Sequence, residues 1–499
     1  MRIKQAVFPL LLPMGAVAQQ PLSAIDWLNQ PPPVELPGTV LLEPPVTPSA
    51  LRPEVEVTPL ESLSVPVGLV GTDVTGLPAD LWRGSDVARI EELLDTVAVR
   101  DVPAMQSLLY TLLLSESGAP SGTGAGERLL LARIDRLMDL GAVDAAQELA
   151  QVAGPTASPD RFARWFDATL LTGDEDRSCK ALAAEPHLSR DYAARIFCAA
   201  RLGDWQSAAL TLEAAHALDI LPSHKLDLLD RFLSPEIYDG APPLPRPDAP
   251  DPLAFRLHES IGERLNTATL PQPFAVADLR DIAGWKAQVE AAERLARTGA
   301  LTPNHLLGLY TARQPAASGG VWDRVQAVQR FETALQTGSP EALGKTLPDA
   351  WAAMTDARLE VPFAELFAEA LAKSDAGGLA WRIRLLSRDY EAAAATPPDQ
   401  SAETQFLAAI AQGEPGRATP PDATARAITA GFDPEATPPA EISRIIRRGQ
   451  LGEAILRAMA LLASGDPGDL SDALATFRAV GLEDTARRAG LQLMLLDRG

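Results

Sequence analysis

"GDWQSAALTLEAA" runs from Gly203 to Ala215, and its reading decides the fold. A glycine ends the helical run before it, Asp204 opens a polar turn, and an alanine-rich helical pattern follows. Glycine accepts the left-handed backbone at which many helices stop, so it is a natural terminator. Ala208, Leu212 and Ala215 recur every three to four residues, which puts them on one helix face where small side chains let a neighbour approach. The same layout surrounds Gly141 in "LMDLGAVDAAQELAQVAGP" and Gly173 in "LLTGDEDRSCKALAAEP". These three glycines are 32 and 30 residues apart. It returns in "RRGQLGEAILRAMALLA" and "AVGLEDTARRAGLQLML", where Gly449 and Gly481 are again 32 apart. Weaker copies are "RTGALTPNHLLGLY", "QTGSPEALGKTL" and "LSRDYEAAAA", the last with Arg388 in the glycine's place. A repeat of about thirty residues points to stacked helix pairs, each burying a face against the next.

On these residues the chain resembles the tetratricopeptide repeat family, whose unit is a helix–turn–helix of about 34 residues. Gly203 matches the family's turn, Ala208 and Ala215 its two small positions, and Leu212 the large apolar position between them. Gly449 and Ala454 match the same turn and the first small position. Ile134 and Ile196 depart from the pattern, standing where the first helix usually carries a small residue. The resemblance implies an all-α, tetratricopeptide-like helical-hairpin solenoid that binds a protein or peptide. An ordinary helical bundle is the alternative.

The first eighteen residues have the layout of a secretory signal peptide. Arg2 and Lys4 precede the apolar "AVFPLLLPMG", and Ala16 and Ala18 stand before a cleavage point at Gln19. The apolar stretch is too short to cross a bilayer and holds Pro9 and Pro13. Export to the periplasm is therefore expected, with no transmembrane segment in the mature chain. Leader and repeats together resemble uncharacterised exported repeat proteins of proteobacteria, which implies no activity. The net charge of −22, from 44 basic against 66 acidic residues, excludes nucleic acid or an anionic membrane as the main partner. It permits a basic protein or peptide.

Residues 19–80 are expected to form a Pro-rich extended arm, with ten prolines between Pro31 and Pro66. Its start, "PLSAIDWLNQ", spaces Leu22, Ile25 and Leu28 helically with Trp27 beside them, so these four are candidate docking residues for a groove. From residue 81 the texture is helical. A first lobe is expected over 81–240, a Pro-rich linker over 241–252 and a second lobe over 253–395. A Pro-rich, loosely packed segment follows at 396–440, and C-terminal repeats at 441–499. Ser85 or Asp86 is the expected N-cap of the first long helix, and "GAPSGTGAGE" at 118–127 reads as a connector. That stretch is not a phosphate loop, because Glu127 and Arg128 stand where one needs lysine and a hydroxyl.

Cys179 and Cys198 are the only cysteines. On antiparallel neighbouring helices they fall at similar heights, and an exported chain with an even count favours a disulfide. Free thiols and a zinc site held with His187 are the alternatives, the latter lacking a fourth ligand at a recognisable spacing. His216, His224, His258 and His305 read as helix-surface residues, and "GDED" at 173–176 as a helix N-cap. Ser318-Gly319-Gly320 could offer amides to an anion, but a tight turn that packs Trp322 on the adjacent helix is favoured. No catalytic, metal or cofactor residues are assigned. The expected function is a non-catalytic periplasmic scaffold. The alternatives are a cell-wall enzyme accessory, since some lytic transglycosylases carry a comparable superhelix, and a structural subunit of an envelope or motility machine.

Overall fold

Several helices along this chain stop by one mechanism. At Gly203 the backbone turns left-handed (φ 84°). Its amide donates to Ala200 O, and the Asp204 amide donates to Ala199 O, both at 2.9 Å. These two bonds satisfy carbonyls that a helix end leaves orphaned. Gly141, Gly299, Gly449 and Gly481 repeat the pattern, each with positive φ and the same pair of bonds. The recurrent glycine of the sequence is thus a recurrent helix terminator.

The structure is a computed structural model that describes residues 66–99, 101–374 and 377–496. Residues 1–18 and the candidate docking residues Leu22, Ile25, Trp27 and Leu28 lie outside them. The chain begins with α1 (Thr72–Thr75), α2 (Val87–Thr96), α3 (Pro103–Leu114), α4 (Ala125–Asp139), α5 (Val143–Val152) and α6 (Pro159–Thr172). Next come α7 (Glu175–Ala184), α8 (Tyr192–Arg201), α9 (Trp205–Ala217), α10 (Ser223–Leu233), α11 (Pro252–Ser260) and α12 (Trp285–Arg297). They are followed by α13 (Pro303–Thr311), α14 (Val321–Thr337), α15 (Pro340–Asp356), α16 (Glu360–Ala372), α17 (Gly377–Leu385) and α18 (Tyr390–Ala394). The last are α19 (Ala402–Ala411), α20 (Ala423–Gly431), α21 (Ala440–Arg447), α22 (Leu451–Leu462), α23 (Pro467–Ala479) and α24 (Glu483–Leu495). Among the described residues there is no strand, only isolated bridges such as Val67 to Ser117.

Side chains start many of these helices. Asp86, Ser158, Asp204 and Asp422 each accept a hydrogen bond from an amide of the first turn. Consecutive helices from α4 to α9 pack pairwise, as do α14 with α15 and α22 with α23. The all-α, helical-hairpin expectation is borne out. Ala208 and Ala215 are fully buried, Leu212 nearly so, and Ala454 is fully buried on α22. Ile134 and Ile196 are also fully buried, so the first helices fill their seams with larger side chains.

Contacts also join residues far apart in sequence. The α3 helix packs on α24, and α2 packs on α22. The Ala104 amide donates to Gln492 Oε1 at 2.7 Å, and the Gly452 amide to Leu81 O at 2.9 Å. Across the Pro-rich stretch at 241–252, Arg256 on α11 binds the fully buried Glu175 of α7 at 2.8 Å. The segment 396–440, expected to be loosely packed, carries α19 and α20. Phe406, Ile410 and Ala411 of α19 are fully buried, and α20 packs on α23. Proline marks the ends of these helices, and apolar content governs their packing.

Cys179 on α7 and Cys198 on α8 form a disulfide, with Cα atoms 4.8 Å apart and both residues buried. Closing a loop of this length contributes about 3 kcal/mol by restricting the unfolded chain. His187, the alternative zinc ligand, lies exposed beside Glu185.

Candidate functional site

Three segments converge on the C-terminal end of α12 and leave a cavity of about 560 Å³ there. They are α3, the 3-10 turns around Thr267–Leu279, and the junction of α15 with α16. Pro103, Pro271, Val361 and Pro362 supply apolar wall. Arg294, Arg297 and Arg358 supply its charge, and no Asp or Glu lines it. That is notable in a chain whose acids outnumber its bases 66 to 44.

The three arginines are held differently. Arg294 is committed to structure: it donates to Thr267 O at 2.7 Å, to Gln272 Oε1 at 3.0 Å and to Leu270 O. Gln272 in turn donates to Arg294 O at 2.8 Å, and Gln106 to Arg297 O at 3.0 Å, which caps carbonyls at the end of α12. Arg297 donates through Nε to Ala357 O at 2.6 Å, and its side chain remains 40% exposed. Its nearest acid, Glu293, is 3.5 Å away. That carboxylate already accepts two bonds from Arg324 and one from Tyr310 Oη. Burial, together with Arg297, lowers the pKa of Arg294. Burial, with repulsion from Arg324 and Arg358, lowers that of Arg297 despite Glu293.

Arg358 is the outlier. Its backbone is left-handed (φ 56°), and only Asp219 shares that state among the described non-glycine residues. The Arg358 amide donates to Thr355 O and the Leu359 amide to Met354 O, both at 2.9 Å. This is the same terminator that glycine forms elsewhere, built on a residue for which it costs about 1 kcal/mol. The Arg358 side chain is 63% exposed at the cavity and 3.4 Å from Asp101. Arg388, which stands in a turn glycine's place in the sequence, does not take this conformation. An arginine hid the repeat turn between α15 and α16.

Other residues singled out in the sequence divide clearly. His258 is buried on α11, contrary to its surface reading, and burial lowers its pKa against a weaker opposing effect from Glu263. His216, His224 and His305 are exposed. The acids of "GDED" do not cap α7 through a side chain. Asp174 instead accepts from Gln147, Glu175 from Arg256, and Asp176 from Arg201. The Gly319 amide donates to Asp323 Oδ1 at 2.9 Å, and Trp322 packs on Trp285 with ring centroids 4.7 Å apart. That stretch is a packing turn.

A second charged cluster lies where α6 faces the starts of α8 and α11. Lys225 approaches Asp251 at 2.9 Å and Asp191 at 3.8 Å. Asp167 of α6, partly buried beside them, is pushed up to about 7, by burial first and then by Asp251, with smaller pushes from Asp135 and Asp191. Arg164 offsets part of this, and Lys225 also feels the Asp167 charge. The folded state therefore keeps a proton on Asp167 that the unfolded chain releases near pH 4. This group's contribution to stability is greatest below about pH 4 and is lost as pH rises through about 7. With partial solvent contact discounted, the cost at pH 8 is on the order of 2 kcal/mol. Asp167→Asn is expected to raise the melting temperature at pH 8 and to leave it nearly unchanged at pH 4. Equal effects at both pH values would remove Asp167 as the cause.

No protein-family model matches the chain, and no match was found among curated proteins or solved structures. Among the described residues, no helix is long and apolar enough to cross a membrane, and no cluster of His, Cys, Asp or Glu could hold a metal ion.

Proposed function

We propose that the chain is a non-catalytic, exported helical-repeat scaffold that binds another protein or peptide of the cell envelope. The observation that carries this reading is α9. It buries only Ala208, Leu212 and Ala215, while Leu210 is 67% exposed, with Trp205 and Leu218 also exposed. Exposed apolar side chains along one helix of a repeat protein are characteristic of contact surfaces. The leader-like first eighteen residues and the buried disulfide support the periplasm as the compartment.

The test is capture of crosslinked partners from native periplasm, comparing the wild-type chain with Leu210→Glu. The expected result is a specific partner that the variant loses at unchanged melting temperature. Recovery of the same proteins by both chains would overturn the α9 reading. Deleting residues 19–36 asks in the same assay where Leu22, Ile25, Trp27 and Leu28 dock. A lower melting temperature assigns them to the helical body, and lost capture at unchanged stability to the partner. Muropeptide release from purified cell wall by the chain alone would replace the scaffold reading with an enzymatic one.

A further inference from the structure

The cavity at the end of α12 has a chemistry that neither the repeat architecture nor the α9 surface explains. We propose that it binds a ligand presenting a carboxylate on a small apolar body, with Arg297 and Arg358 as the carboxylate's partners. Three observations converge. The volume, about 560 Å³, suits a ligand of two or three residues' size. The wall combines proline and valine with guanidinium groups and carries no acid, so it offers an apolar seat and a charged end. Arg358, finally, occupies a left-handed turn position that glycine fills at most of these turns; Asp219 is the other exception, and aspartate's short polar side chain tolerates that state where arginine's does not. Strain kept at a long cationic side chain in a recurring motif marks a side chain wanted for something other than the turn.

The donors left open select the ligand class. Arg294 spends its donors on two carbonyls and Gln272 and serves as wall. Arg297 is opposed by Glu293 at 3.5 Å, but that carboxylate is already bonded by Arg324. Arg358 faces Asp101 at 3.4 Å across exposed side chains, a weak pairing. Arg297 and Arg358 are therefore the two guanidinium groups with donors left for a ligand, and their planar forks match the two oxygens of a carboxylate. The arginines repel one another here, and an anion relieves that repulsion.

Such a carboxylate has two sources, a peptide's free C-terminus or a small organic acid. Calorimetric titration of the full chain separates them with three probes: the tripeptide Val-Ala-Leu as free acid, the same tripeptide as C-terminal amide, and 2-methylpropanoate. The free acid is expected to bind at least about tenfold more tightly than the amide. Binding of 2-methylpropanoate as tightly as the tripeptide assigns the site to small acids and retains the carboxylate. Arg358→Gly is expected to weaken binding about tenfold while raising the melting temperature, because glycine relaxes the turn. Arg358→Lys is expected to restore part of the affinity. Acid and amide binding alike, no heat from any probe at millimolar concentration, or Arg358→Gly binding like wild type would overturn the proposal. Tighter binding of inorganic phosphate than of the tripeptide would do so as well.

Discussion

Replacing Arg133 by Met is expected to destabilise the protein by about 3 kcal/mol, although the substitution removes a buried charge. Arg133 on α4 is 2% exposed, and burial lowers its pKa to about 10, so it remains charged at neutral pH. Its three nitrogens donate to Leu113 O at 2.7 Å, Val67 O at 2.9 Å and Ser115 O at 2.8 Å. These carbonyls lie at the end of α3 and in the segment that leads into the body. A cation there also suits the negative end of the α3 dipole. Buried ion pairs are often replaced by apolar residues at little cost, because both partners leave together. Here the partners are backbone and cannot leave. Methionine fills the space, orphans Leu113 O and leaves Val67 O and Ser115 O with one long bond each, both from Ser117 at 3.4 Å. Thermal melts of Arg133→Met and Arg133→Lys provide the check, with the lysine variant falling between the wild type and Met. A melting temperature for Arg133→Met equal to wild type would show that water reaches these carbonyls.

Gly452→Val is expected to cost more than about 3 kcal/mol, against the sign that helix propensity gives. Gly452 lies in the first turn of α22, where local propensity alone favours alanine over glycine by about 1 kcal/mol. A β-carbon there would stand 2.5 Å from two ring atoms of Trp82 and 3.1 Å from Leu81 O. Trp82 is fully buried, and its indole nitrogen donates to Ser117 Oγ at 3.1 Å, so the ring has nowhere to retreat. Packing wins over propensity. Gly452→Ala should therefore lower the melting temperature and Gly452→Val should lower it further. A rise with alanine would mean that the contact between Trp82 and α22 yields at little cost.

Much of the fold was legible because it is local. Gly141, Gly203, Gly449 and Gly481 each end a helix through bonds to residues three to five positions back, and a short window of sequence contains that information. The disulfide was legible for the same reason, since 19 residues and one turn separate its halves. The candidate site was not. Its arginines come from α12 and from the turn between α15 and α16, and its apolar wall comes partly from α3. Arg358 also carries no local mark, because an arginine in a glycine position reads as a break in the repeat. The burial of His258 was illegible too, since a lone histidine on a helix is compatible with either face. The tight packing of α19 was masked by the prolines flanking it.

The contacts of α2 with α22 and α3 with α24 bear on how the chain acquires its structure. A simple helical array can nucleate anywhere and grow by neighbours, because every unit touches only the next. Here Ala104 and Gln492, 388 positions apart, must meet before the early helices are fully covered. The N-terminal helices emerge first during synthesis, and their partners emerge last. Until then Trp82 lacks the α22 backbone against which it packs. Loop closure on that scale is slow and leaves apolar surface open to aggregation meanwhile. The final step is therefore a joining of ends, and unfolding should proceed as one cooperative transition and not unit by unit.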